Sequence, residues 1–384
     1  MAMKLRFDVR DVPSCARLGL SGRKMWIFTK AILASWLAWS ASTYLGWLAA
    51  DPGGLGGVWA SSRLLPLPSG IFWRSWPSVA LMAAGLLLAG WSLLRAMLMS
   101  SRITFEQIRG DDFYSGRDAR RFLGSHWRPL FWTPAAIVAG MAVAAAAGLL
   151  LGLAGRIPVA GPVIVGLAAV PAWGAALLAV PAAGALLLCA GFLPAIVACT
   201  RGDTFESLFE LFSAVTGQTA RLAGYMLVSL LVRVPAAALF LVCSSAAAGM
   251  AARVVGAGMG TAPFGPFVSG LGILAPAAVG AFSRPADVLG LVPQAPAGGA
   301  AEAVMAASGV MAVLVLASYW LSAASSGWTL IYLAIRHRRD GEDLVRRADD
   351  EDYREFSRQY GSADEHSRSA GAPGGAREQV DAGD

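Results

Sequence analysis

Acidic and imidazole side chains are scarce in this chain and missing where a membrane-embedded enzyme would need them. The 384 residues include only 25 Asp and Glu and three His, and none falls inside a long apolar run. An aspartyl protease working in a bilayer needs two facing carboxylates, a serine protease there needs a base beside its nucleophile, and a zinc protease needs paired histidines. His126, His337 and His366 all lie outside the apolar runs, so no enzyme is expected. Asp111, Asp112, Asp118 and His126 would be the catalytic candidates at an inner membrane face, but their spacing makes no site.

Cysteine is sparse too. Cys189, Cys199 and Cys243 sit within apolar runs and Cys15 near the start, a distribution without a disulfide framework or zinc spacing. They read as small core hydrophobes, and neither metal nor cofactor is expected. The Lys and Arg residues fall in clusters between apolar runs rather than in a folded basic domain, which argues against nucleic acid as a partner.

Apolar sequence is what the chain has in abundance. With 56% hydrophobic residues and a mean hydropathy of +0.56, it is too apolar for an ordinary soluble domain. Ala, Leu and Gly dominate windows longer than the ~18 residues that cross a bilayer, and the alternation of a membrane barrel is missing. The expected fold is an all-α polytopic transmembrane bundle. Six spans are expected, at about 25–50, 78–99, 130–154, 174–199, 222–249 and 303–335, within a membrane domain over 25–335. The run 25–50 is too long for the core of a secretory signal, so it reads as a retained span. Apolar sequence continues over 164–200, where Pro171, Pro181 and Pro194 favour a surface segment and one kinked crossing over two crossings. The Gly-, Pro- and Ala-rich stretch 250–300 reads as an outer loop, with room for a re-entrant or surface-lying segment.

Basic residues choose the orientation, because short loops rich in them stay in the cytoplasm. Of the 31, 25 lie in the first 30 residues, in Arg95–Arg128, at Arg201 and Arg221, and from Arg336 onward, whereas five lie in the opposite loops. Both termini are therefore expected on the cytoplasmic side of a bacterial inner membrane. Residues 1–24 form a cytoplasmic N-terminal segment, 336–360 a charged cytoplasmic segment and 361–384 a disordered tail poor in bulky apolar residues. The aromatic residues near span ends, such as Trp26, Trp47, Trp73, Trp76, Trp127 and Trp132, fit interfacial belts.

One polar turn occurs twice. RGDDF at 109–113 and RGDTF at 201–205 each follow an apolar run, and GSHWR at 124–128 answers GQTAR at 217–221 at nearly the same offset. In the second copy Phe205, Leu208, Phe209, Phe212 and Val215 form one apolar stripe at helical spacing. Asp203 stands three residues before Glu206 and Ser115 three before Asp118, the spacing of capping boxes. The frame predicts two amphipathic helices on the cytoplasmic interface. Arg109 and Arg201 would anchor span ends at headgroups, Gly110 and Gly202 would take the left-handed conformation that ends a helix, and Asp111 and Asp203 would start the next, ahead of Phe113 and Phe205. Spans two and three would then match spans four and five as a parallel internal repeat rather than an inverted one. Both copies face the cytoplasm in this scheme, which leaves no role for RGD as an adhesion motif.

The segment RGDTFESLFELFSAV after a long Pro-containing span, together with SYWLSAASSGWTLIYLAIRHRRDGEDL at the last span, resembles a family of uncharacterised polytopic bacterial membrane proteins. A weaker likeness, to the membrane region attached to some glycerophosphodiester phosphodiesterases, covers only the plan of helix, interfacial helix, helix. Neither resemblance implies an activity or a site, and no phosphodiesterase domain is present to carry that chemistry.

Arg233 is the one charged residue well inside an expected span. At mid-bilayer it would cost about 2.5–3.5 kcal/mol unless it faced the bundle or water, which makes it a candidate intramembrane anion contact. The other reading moves the span outward, so that Arg233 snorkels at its inner end. GLLLG at 148–152 offers a small-residue face for close contact with a neighbouring helix, of the same chain or of a second copy. DGED at 340–343 lacks the spacing of a calcium loop and reads as a solvated helix start. The function expected from all this is a nonenzymatic membrane scaffold or an assembly or accessory subunit, meeting lipid, a protein partner through its cytoplasmic segment, or a second copy. The alternative is a transporter or channel for a small anionic or amphipathic solute.

Overall fold

Long Ala- and Leu-rich runs propagate as helices longer than a bilayer is thick, and turns fall where Gly, Pro, Ser and Asp cluster. The computed structural model describes residues 5–62, 66–158, 160–259, 300–341 and 343–346, and among them it is helical with no strand. The helices are α1 (Ser14–Gly19), α2 (Gly22–Ala50), α3 (Leu55–Ser62), α4 (Trp76–Arg109), α5 (Gly116–Ala154), α6 (Ala160–Cys189), α7 (Phe192–Thr200), α8 (Thr204–Gly217), α9 (Thr219–Met259) and α10 (Ala300–Asp340). Five stretches are long and apolar enough to cross a membrane: Trp76–Arg109, Gly116–Ala154, Ala160–Cys189, Thr219–Ser244 and Val313–Asp340. This is the architecture of a multi-pass helical membrane protein. α2 has the length at 29 residues, but its Trp, Ser and Lys residues keep it out of that set.

The region expected to hold a surface segment and then one crossing over 174–199 is built differently. α6 is one helix from Ala160 to Cys189 with Pro171 and Pro181 inside it, and the chain breaks only at Ala190 and Gly191 before α7. Each proline removes one ladder hydrogen bond without ending the helix. At Gly191 the indole of Trp328 presses so close that no side chain would fit.

α2 and α4 run antiparallel, fastened by Ser78 Oγ to the Gly46 carbonyl at 2.7 Å, Ser35 Oγ to Ala89 at 2.9 Å and Ser92 Oγ to Ala31 at 3.2 Å. The lower half of α10, from Ser318 to Ile335, is almost wholly buried among α1, α2, α4, α7 and α9. Small residues permit this closeness. A Cβ on Gly19 would stand 2.7 Å from Ala323 Cα, and one on Gly327 2.6 Å from Ser229 Oγ.

The N-terminal segment is folded onto this helix. Phe7 stacks on His337 at 4.1 Å, Asp8 accepts from Arg338 at 2.9 Å, and Ser322 Oγ donates to the Gly19 carbonyl at 2.8 Å. Residues 5–19 thus form a strap along α10. Of the expected outer loop over 250–300, residues 260–299 lie outside the described residues, as do 347–360 of the charged segment and the tail 361–384.

Candidate functional site

The two RGD turns have related but unequal geometry. α4 ends at Arg109, Gly110 is left-handed at φ 103°, and the Asp111 N–H reaches back to the Glu106 carbonyl at 3.0 Å, closing the helix end. Ser115 then caps α5, sharing reciprocal hydrogen bonds with Asp118. In the second turn the left-handed residue is Arg201, at φ 57°, and not Gly202. α7 stops one residue earlier, at Thr200, so the reversal falls on the arginine. Gly202 is buried against the Glu206 carboxyl, which would have to swing aside to admit a Cβ. Asp203 caps α8, accepting from the Glu206 N–H at 3.0 Å.

Beyond each turn the helix breaks once, at matching positions. His126 leaves helical geometry at φ −118°, ψ 26°, and Gln218 does so at φ −137°, ψ 34°. Phe113 and Phe205 are both exposed, at 88% and 76%. Arg109 pairs with Glu106 at 2.9 Å, whereas Arg201 is exposed.

Between these turns lies a buried charge cluster. Arg102 pairs with Glu106 one turn along α4, donates from Nη1 to the Ala198 carbonyl at 2.9 Å, and stacks its guanidinium 4.7 Å from the Phe122 ring. This one side chain ties α4 to α5 and α7. A second cluster closes the far end of α10, where Glu210 of α8 pairs with Arg336 and, at 2.9 Å, with Arg339; Arg339 also meets Asp340 at 2.9 Å and donates to Ser213 Oγ at 2.8 Å. Asp340 of the DGED stretch therefore belongs to an ion network, and Asp343 caps the short turn after it, accepting from Val345 N at 3.0 Å.

Lys24 is the residue that sequence reading missed. Its side chain is fully buried, and Nζ donates to Thr104 Oγ1 at 3.2 Å and Ser326 Oγ at 3.0 Å. Among the described residues no carboxylate pairs with it. Ser326 spends its own proton on the Ser322 carbonyl at 3.0 Å, so the lysine acts as a donor knitting α2, α4 and α10 together. Around it runs a seam of buried hydroxyls: Ser101 with Ser325 at 3.0 Å, Thr104 with Ser326 at 3.2 Å, and Thr329 to the Ser325 carbonyl at 3.0 Å. Only the amphipathic spacing of these serines along α10 could have hinted at it.

Arg233 lies on α9, half-buried. Its Nε donates to the Ser229 carbonyl at 3.3 Å and its guanidinium sits 5.2 Å from the Trp320 ring. The terminal nitrogens have no hydrogen-bond partner among the described residues. Cys15 is buried nearby, and burial pushes its thiol up, offset in part by the Arg233 charge and the Ser229 hydroxyl. All four cysteines are free; Cys15, Cys189 and Cys199 are buried as expected of core residues, whereas Cys243 is exposed.

Among the described residues nothing packs on the GLLLG face. Gly148 and Gly152 have open space where a Cβ would stand, because α5 packs through its lower half and leaves this stretch outward. Comparison with protein-family models, with curated proteins and with solved structures gave no match to this chain.

Proposed function

We propose that this protein is a nonenzymatic scaffold or assembly subunit of a bacterial inner membrane, crossing it six times with both termini in the cytoplasm. α2 is the first span: its 29 residues reach about 43 Å, more than a hydrocarbon core. The matching breaks at His126 and Gln218, 92 residues apart, support the parallel repeat, and the exposed Phe205 and Phe209 support an amphipathic α8 on the cytoplasmic side. The observation that carries the scaffold reading is the clamping of the last helix. α10 is held by α1, α2, α4, α7 and α9 and pinned at its end by Glu210 of α8, which makes a fixed platform from which the charged segment after Arg346 leaves.

Purification in mild detergent of the full chain, and of one ending at Arg346, tests the docking role. Loss of a stoichiometric partner from the shorter chain is the expected result, and an unaltered partner set would refute it. A second reading, a carrier for a small anion, draws on Lys24, whose buried ammonium has hydroxyl partners but no carboxylate among the described residues. Solute flux abolished by Arg233→Leu in a chain that still assembles would favour the carrier.

A further inference from the structure

Four cations on four helices fall at one level. Phe28 and Ala31 of α2, Leu93, Ala96 and Met97 of α4 and Leu321 of α10 pack into one cluster. That contact puts Lys30, Arg95 and Trp320 in register, since each adjoins one of these residues in sequence. Arg233 of α9 joins them through its stacking on Trp320 at 5.2 Å. α5 joins through Trp91, one turn from Arg95, whose ring lies 6.3 Å from Trp127 and 6.0 Å from Phe131, the residues on either side of Arg128.

α4 and α10 change character across this level. On one side the exposed residues are apolar, among them Leu37, Leu45, Leu87, Val143 and Leu149. On the other, α4 from Ala96 to Ile108 and α10 from Ser318 to Ile335 are buried by other helices. From Lys30 to Ala50, and from Arg95 back to Trp76, the chain rises through about 20 residues, or about 30 Å, the thickness of a hydrocarbon core. Lys30, Arg95 and Arg128 are exposed and Arg233 is half-buried. Indoles accompany them, with Lys30 Nζ 5.0 Å from the Trp26 ring, as at a membrane–water boundary.

We propose that Lys30, Arg95, Arg128 and Arg233 form one ring that binds the phosphates of anionic lipids at the inner edge of the hydrocarbon. The stretches 96–109 of α4 and 318–340 of α10 then stand beyond it as a helical head. Guanidinium and ammonium groups suit phosphate oxygens as partners. Arg233 in this ring is a boundary residue whose two terminal nitrogens take a lipid phosphate, and it carries no charge into mid-bilayer. The ring rests on the six-span reading, because α2 must cross for Lys30 to lie on its circumference.

Native mass spectrometry of the full chain with phosphatidylglycerol, phosphatidylcholine or inorganic phosphate tests it. Preferential retention of phosphatidylglycerol is expected, falling about fivefold for each cation exchanged for Gln. The variant Arg95→Lys, Arg128→Lys, Arg233→Lys should keep the preference. A fourfold Gln variant that retains it, or inorganic phosphate that competes it away at equal concentration, would overturn the ring. If the fourfold variant does not stay monodisperse, the pairs Lys30→Gln with Arg95→Gln and Arg128→Gln with Arg233→Gln are read in its place. Labelling of single cysteines at Tyr114 and Thr204, in a chain lacking native cysteine, reports the crossing plan separately: the two on one side with the lipid preference absent removes the ring alone, and the two on opposite sides removes the plan beneath it.

Discussion

α6 and the lower part of α10 are both candidate spans, yet they are built as opposites. In the apolar window of Val313–Asp340, 61% of residues are buried inside the protein; in that of Ala160–Cys189, none are. The buried one is the less apolar of the two, with Ser318, Ser322, Ser325, Ser326 and Thr329 all fully enclosed. In a soluble protein the order would be reversed. α6 meets surroundings as apolar as Leu, which give no reason to bury it, whereas the helices around α10 are held by close packing and hydrogen bonds that draw small hydroxyl residues inward. Hydropathy in this molecule thus marks the outside.

The contrast can be broken most severely at the charge cluster. Glu106→Ala leaves Arg102 buried without its carboxylate and should cost about 3–5 kcal/mol, read as a fall in the unfolding temperature in detergent. Leu177→Ala on the exposed face of α6 should stay within about 0.5 kcal/mol; equal losses would abolish the distinction. Gly191→Leu, forced against Trp328, should cost about 1–3 kcal/mol, while Gly148→Ala on the open face of α5 should leave unfolding unchanged. Lys24→Met should stabilise the protein by about 1 kcal/mol or more, because a well-filled apolar side chain replaces a buried charge that has no counter-ion among the described residues. A destabilised Lys24→Met chain would mean that the hydroxyl seam needs the amine. A smaller gain is expected at Arg201→Gly, which relieves the left-handed backbone and should raise stability by up to about 1 kcal/mol.

Helix content and turn positions could be read from local chemistry. Ser115 and Asp118 stand at capping-box spacing and form that box, and Asp203 caps α8. One departure comes from neighbours that local sequence does not contain: Gly202 stands where a left-handed helix end is expected, but the reversal falls on Arg201 and Gly202 packs against the Glu206 carboxyl. GLLLG has the spacing of a packing face, and among the described residues nothing lies against its two glycines. Lys24 was legible only as one topological charge among many. Its hydroxyl partners lie 80 and 302 residues away, a separation at which spacing carries no signal. The enclosure of α10 was hidden for the same reason: its serines lower the apolar signal, and the helices that cover them are scattered along the chain from α1 to α9.

The strap formed by residues 5–19 clasps a helix that leaves the ribosome about 300 residues later. Ala16 and Gly19 wait for Tyr319 and Ser322, each 303 residues downstream, a delay of roughly 15 s to a minute at common elongation rates. Throughout that interval the earlier helices stand around an empty slot, with the Lys24 ammonium facing it. Insertion machinery has to shelter an unfinished bundle until α10 slides home, and a nonsense codon anywhere before α10 would leave a product with walls but no keystone.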